Sequence, residues 1–548
     1  MSGPDGTTQL AQRGRPLLPV SGAADDRPVE LTVPQCHDLI DLWCQLMAEI
    51  YVHHDQKRSL YGYDPERALQ ALRRQIPYLG SAEFLRELTL VVNRLRDQHT
   101  QLYVHGRDPL RAPFVAALPF LVEVFGEYQT PTYVVTKVSD AAGDDGFVPG
   151  VRVTTWNAVP FSRAVDLYAD TLTGGRLDAR RARALETMTQ RPLAFLPQPD
   201  ELWVDVGFRT GEGPDRTVRF EWRAIEPSTA LTAKNTVELR TRRAVDATSE
   251  AARRARKLLF QPALWQQEAD RPERVAKAAD WMPTAFPDAI SARRVSTSHG
   301  TVGYLRLWTF DVDHGDQFLD EVDRVLRAMP RTGLIIDLRS NPGGVIEVAE
   351  RLLQLFTNQV VQPVRFALRA TPALTALADA DGNGADLADW AASVRIAMSL
   401  GEEYSQHLTI SDPDRCNGRP VAYEGPVVAV VNPTTFSSGD IFAAGIADHG
   451  IGQIVSIGEG TGGGGANVWT SDDIEYAYHV AALPLPARPP GIAYSLSVRR
   501  AARSGTAAGI AIEDVGVPGD ERYTMTERDV LGGNEDLTEF CAGLLTAT

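Results

Sequence analysis

LIIDLRSNPGG, residues 334–344, and VVAVVNPTTFSSGD, residues 427–440, decide the reading of this chain. Each is a short apolar run that breaks into turn residues and then into a helical pattern. Runs of four or five β-branched and aliphatic residues, bounded by Gly, Pro and Asn, are buried strands. Before and after the first of them, 318–329 and 345–356 carry helical spacing. From about 296 onward the chain therefore reads as alternating β and α, the pattern of a sheet covered by helices. Val427 to Val431, a helix over 439–449 and a strand over 454–457 continue it.

The turns carry the chemistry. Asn341-Pro342-Gly343-Gly344 frees backbone N–H groups at the start of a helix, which suits a developing oxyanion and equally suits a plain turn. Ser437 stands where strand meets helix, a place for a nucleophile and also for an N-cap. Gly458 to Gly465 holds four consecutive glycines without the following Lys of a phosphate loop, and reads as a loop that needs close approach. Glu513 lies in an apolar context in Ala511-Ile512-Glu513-Asp514-Val515, where a carboxylate can orient a histidine. His53-His54 and the pair His99 and His105 lack metal-ligand spacing, so no metal or other cofactor is expected.

Outward from this core, 31–110 reads as a helical region. Its clearest stretch, 83–96, places Phe84, Leu85, Leu88, Val91, Val92 and Leu95 on one face. His99 follows at a helix-to-strand corner, in Asp97-Gln98-His99-Thr100. Residues 111–225 change to short strands with Gly and Asp turns. Residues 226–295 read as a helical linker, whose Arg253, Arg254, Arg256 and Lys257 suit a solvated helix face. Residues 361–420 form an Ala- and Asp-rich insertion in the catalytic region, a candidate lid. Residues 1–30 read as a flexible tail.

The whole composition agrees. The 548 residues are too many for one core and suggest three or four units. Lys plus Arg number 55 and Asp plus Glu 71, for a formal charge of −16. That balance favours solubility and disfavours nucleic acid. The four cysteines, at 36, 44, 416 and 541, have no paired spacing and read as free thiols. No apolar leader and no window long enough to span a membrane is seen, so a cytoplasmic location is expected.

These segments resemble the serine peptidase family of tail-specific (C-terminal processing) proteases and the tricorn core protease. LIIDLRSNPGG looks like the family's Asp-x-Arg-x-Asn-x-Gly-Gly turn, VVNPTTFSSGDIFAAGIADHG at 430–450 like its nucleophile segment, and IGEGTGGGG at 457–465 like its Gly-Glu-x-Thr-x-Gly loop. The resemblance implies a multi-domain α/β fold with a ClpP/crotonase-like catalytic domain at 296–548, an N-terminal helical segment and a PDZ-like domain at 111–225. It implies a serine-type peptidase acting on peptide or unfolded protein, in a family that often forms homo-oligomers. Asp440, three residues on, selects Ser437 over Ser438 as nucleophile. The N–H groups of Ser438 and of Gly343 or Gly344 are the implied oxyanion hole. Tail-specific members use a lysine where this chain has Gly464. The resemblance to the tricorn branch therefore implies His99 as base and Glu513 as its orienting carboxylate. The same chemistry on another acyl substrate, or a binding protein in which Ser437 merely caps a helix, are the alternatives.

Overall fold

A computed structural model describes residues 15–16, 29–104, 115–139, 146–193, 195–196, 199–225, 243–260, 281–380 and 387–547. The expected tail 1–30 and His105 lie almost wholly outside them, as does much of 226–280.

One sheet has the strand order Ile290–Thr297, Gly300–Leu307, Leu334–Asp337, Val427–Val431, Gln453–Ser456 and Glu521–Arg522. Its first pair is antiparallel and the rest are parallel. Leu334–Asp337 and Val427–Val431 are buried along their whole length, as their unbroken apolar runs require of central parallel strands. Helices Gly315–Arg327, Ile346–Leu353 and Ser438–Asp448 pack one face, burying Phe318, Leu319, Val322, Leu352, Phe442 and Ile446. Helix Glu535–Ala547 covers the other face. The sheet begins at Ile290, so the expected boundary at 296 falls inside its first strand. Ile290 and Ala292 point inward and alternate with partly exposed neighbours, a two-residue period too short for the helical reading.

A second sheet joins distant parts of the chain. Its long strand Ile492–Ala502 pairs antiparallel with Gln101–Val104, with Arg365–Leu368 and with Ala466–Thr470. Helices Val33–Glu49, Pro65–Arg73 and Ser81–Asn93 pack with this sheet around Leu39, Trp43, Leu46, Phe84, Leu88, Tyr494 and Leu496. Phe366, Leu374 and Trp390 of the 361–420 insertion belong to the same core. The insertion is packed structure rather than a lid.

Residues 115–225 form a separate layer. Strands Arg216–Glu221, Trp203–Arg209, Arg152–Trp156, Thr132–Val138 and Phe120–Phe125 lie side by side. Two helices, Phe161–Ala169 and Leu177–Met188, accompany these strands and are parted at Gly174-Gly175. Phe120, Phe147, Phe208, Phe220 and Trp222 form its core. The four cysteines are free, and Cys36, Cys416 and Cys541 are buried.

Candidate active site

Two turns at the ends of neighbouring parallel strands build one side of the site. After Leu334–Asp337, the Asp337 carboxylate accepts Arg339 Nη2 at 2.6 Å, Arg339 N at 3.0 Å and the Tyr304 hydroxyl at 2.5 Å. Arg306 pairs with it from the adjacent strand. Although burial opposes ionisation, these arginines hold Asp337 well below the usual carboxylate range. Asp337 therefore anchors the turn. Asn341 then ties it to the next one, its Oδ1 accepting Gly343 N at 2.9 Å and its carbonyl accepting Phe436 N at 2.9 Å.

Ser437 stands at the corner between Val427–Val431 and Ser438–Asp448, with φ 65 and ψ −121. A non-glycine residue there stores roughly 1–3 kcal/mol of backbone strain. Asp440 pins the corner. Its carboxylate accepts Ser437 N at 2.7 Å, Gly463 N at 3.0 Å and Gly464 N at 3.0 Å. That explains the glycine run, since a Cβ at Gly464 would overlap the Phe436 ring and one at Gly465 would overlap Glu513 N. The hydroxyl of Ser437 is free of capping duty. It lies 2.8 Å from His99 Nε2.

His99 comes from the other sheet. Asp97 Oδ1 accepts His99 N at 2.8 Å, Ser495 Oγ donates to His99 O at 2.7 Å, and the ring packs at a tilt against Phe436, 4.8 Å between centroids. Phe436 carries the Arg183 guanidinium on its ring, 5.5 Å from the centroid. A lysine at position 464 has no room, because Phe436 fills the space its side chain would need. Burial pulls His99 down to about 4, against the Asp97 and Asp246 charges that raise it. Its Nδ1 makes no hydrogen bond with the described residues.

Glu513 is placed differently from expectation. It does not bond His99. Its Oε1 accepts Lys57 Nζ at 2.6 Å and its Oε2 accepts Gly465 N at 2.9 Å. Lys57 is itself buried and also donates to Asp514 Oδ1 at 2.7 Å and Arg96 O at 3.0 Å. Burial opposes the charge on Lys57, but Glu513, Asp514 and Asp97 outweigh it and raise its pKa. Burial pushes Glu513 up and Lys57 holds it down. His53, Asp97 and Glu513 approach within 4.8 Å of one another, yet Lys57 already supplies the positive charge between carboxylates, so the trio does not suit a cation. Lys57 and Asp97 carried no signal of this role in the sequence. Lys57 lies in a polar helix, His54–Tyr61, whose burial arises from segments more than 450 positions away in sequence.

A strand of the expected linker covers the site. Arg243–Val245 pairs antiparallel with Gly343–Val345, Ala244 opposite Gly344. The Ala244 carbonyl accepts Ser438 Oγ at 3.1 Å and abuts Gly343, whose missing Cβ would overlap it. Gly343 N is engaged by Asn341, and Gly344 lies opposite Ala244 in the antiparallel pair, with Ser438 beside them. Asp246 clamps the strand through Arg183 Nη2 at 2.6 Å. Ser437 and His99 are consequently 0% and 1% exposed.

Residues 301–480 match the model for peptidase family S41. This region is an S41 serine peptidase domain. No curated protein matches the chain in sequence. Among solved structures, mature CPAF complexed with lactacystin is similar in fold, with TM-score 0.65 and 16% identity over 94% of this chain and 99% of that one. Mature CPAF alone gives TM-score 0.64 and 16% identity over 94% and 97%. Nearly the whole chain therefore shares its fold with CPAF. No helix among the described residues is long and apolar enough to cross a membrane.

Proposed function

We propose that this S41 domain hydrolyses peptide bonds by acyl transfer, with Ser437 as nucleophile and His99 as general base. The 2.8 Å approach of His99 Nε2 to Ser437 Oγ, on a backbone strained at Ser437 and turned away from capping, is the observation that carries the reading. Neutral His99 takes the hydroxyl proton as Ser437 attacks the carbonyl, and returns it to the leaving amine. Water then cleaves the acyl-enzyme by the same route. The oxyanion develops in the hollow now filled by the Ala244 carbonyl, beside Gly344 and Ser438, where each donor is worth about 3 kcal/mol.

The substrate is a peptide in extended form. Gly343–Val345 is a strand edge already paired with Arg243–Val245, and a peptide taking that strand's place brings its carbonyl to the same hollow. The strand-and-helix catalytic layer is read as ClpP/crotonase-like, and 115–225 as a PDZ-like unit that holds a peptide end by strand addition. Glu513 belongs to the charged floor behind His99 rather than to the imidazole directly.

Incubating the wild type, Ser437→Ala and His99→Ala with a library of unstructured peptides, read by mass spectrometry, tests the proposal. Cleavage by the wild type alone is expected. Cleavage that persists in Ser437→Ala overturns the nucleophile, and no cleavage by any form moves the reading to a binding protein on this fold.

A further inference from the structure

Three carboxylates surround the base, and only one has no cation. Glu513 is paired with Lys57 at 2.6 Å, and Asp246 with Arg183 at 2.6 Å. Asp97 is fully buried and makes no ion pair among the described residues. All its side-chain donors are neutral. His99 N gives to Oδ1 at 2.8 Å, while Thr100 Oγ1 and Ser497 Oγ each give to Oδ2 at 2.8 Å. A carboxylate with three neutral donors and no cation in contact keeps its field for the next titratable group.

We infer that Asp97 is the positioning residue of the base, seating His99 in the corner and stabilising the imidazolium that forms during attack. This role, expected of Glu513 from the sequence, rests on the acyl-transfer reading above. The seat is bilateral. Asp97 takes the His99 amide, and Ser495 takes the His99 carbonyl from the strand Ile492–Ala502. The Asp97 carbonyl in turn accepts Thr173 Oγ1 at 2.8 Å, fixing the corner to the segment before Leu177–Met188. The imidazole is thus aimed at Ser437 by its own backbone, without a bond to Nδ1.

The titratable and charged groups facing the pair come from three sides. His53, Lys57 and Tyr51 lie on the N-terminal side, Glu513 behind Lys57, and Asp246 with Arg183 beside the covering strand. Burial opposes ionisation of Asp97, yet His53, Lys57, His99 and the Ser497 hydroxyl bring it down to about 2. On His99, burial is the largest influence and lowers it, and Asp97 is the strongest of those that raise it. Asp97 is therefore ionised throughout the range in which His99 must be neutral to act.

The test is the rate of Ser437 labelling by a fluorophosphonate, in brief pulses from about pH 3.5 to about pH 8, on the full chain. Asp97→Asn keeps the volume and removes the charge. Its plateau rate is expected to fall about 100-fold, with its acid limb moved to lower pH, because a less stabilised imidazolium forms less readily. Glu513→Gln is expected to leave the acid limb near that of the wild type. The reverse, a shifted limb in Glu513→Gln and an unmoved one in Asp97→Asn, overturns the assignment. The Thr100→Val/Ser497→Ala double variant serves if Asp97→Asn does not fold. It retains the carboxylate but strips both hydroxyl donors, so Asp97 protonates more readily. Its loss of rate is expected to be larger at about pH 5 than at about pH 8, and a loss independent of pH contradicts the proposal. A wild type that does not label at all overturns the acyl-transfer reading and this role with it.

Discussion

The side proposed for the nucleophile, around Ser437, and the side proposed for the base, around His99, are built by opposite means. On the nucleophile side, two strand-to-helix turns and a glycine loop lie within 334–465, and short-range rules set them. Asp440 gathers three amides, Asn341 links the turns, and Asp337 is closed by arginines. On the base side, the partners come from 53–57, 97–100 and 495–514. Charges are buried there, and three ring nitrogens of His53 and His99 make no hydrogen bond among the described residues. Local backbone geometry can hold a serine in a strained pose. Aiming a histidine from another sheet requires long-range packing and the burial of ions, which costs several kcal/mol per ion unless they are paired.

The comparison breaks most visibly at Lys57. Replacing it by Met leaves Glu513 and Asp514 buried without their cation. A loss of about 3–5 kcal/mol in urea unfolding at neutral pH is expected, shrinking in acid as Glu513 takes a proton. A loss below about 1 kcal/mol would mean that the base side does not depend on paired ions. On the nucleophile side the matching change is Gly464→Lys, which puts back the residue that tail-specific relatives of the resemblance use. Phe436 occupies that space, so a destabilisation of about 1–3 kcal/mol is expected, with no gain in Ser437 labelling. Labelling that survives His99→Ala in this variant would show that the lysine can be accommodated.

The same contrast explains what could be read in advance. The turns at 334–344 and 427–440 were legible because their apolar runs, Gly, Pro and Asn lie within a dozen residues of each other. That local grammar marked Ser437 as either a nucleophile or an N-cap, and the resemblance, through Asp440, favoured the nucleophile. His99 was legible only through family resemblance and its place after an amphipathic helix. Lys57 was not legible, because His54–Tyr61 is polar in sequence and becomes buried only when 513–514 arrives over it. Nor was the covering strand, since Arg243–Val245 is a three-residue strand whose partner lies about a hundred positions on. The 361–420 insertion looked detachable by composition, yet Phe366 and Trp390 tie it into the second core.

Acid should weaken the base side selectively. Burial lowers His53 to about 3 and His99 to about 4, from an ordinary 6.5. Between those values the unfolded chain binds protons that the folded chain refuses. Stability from these histidines is therefore complete above pH 6.5 and lost as pH falls, by up to about 1.4 kcal/mol per pH unit for each. Urea unfolding at several pH values should show this slope, and His53→Asn should reduce it. An unchanged slope would mean that His53 titrates normally. The smallest expected effect is at the cover. Ala244→Pro removes an N–H from the strand opposite Gly344 and should raise Ser437 labelling a few-fold, by about 1 kcal/mol. A slower rate would mean that the covering strand shapes the site rather than blocking it.

The most direct test of the account is whether Ser437 is an activated nucleophile that depends on His99. Intact-mass measurement after fluorophosphonate treatment, with the adduct located by peptide mapping, decides it. The account predicts one adduct on Ser437 in the wild type and at least about a 100-fold slower reaction in His99→Ala. An adduct on another residue, or equal rates in the two proteins, would contradict it.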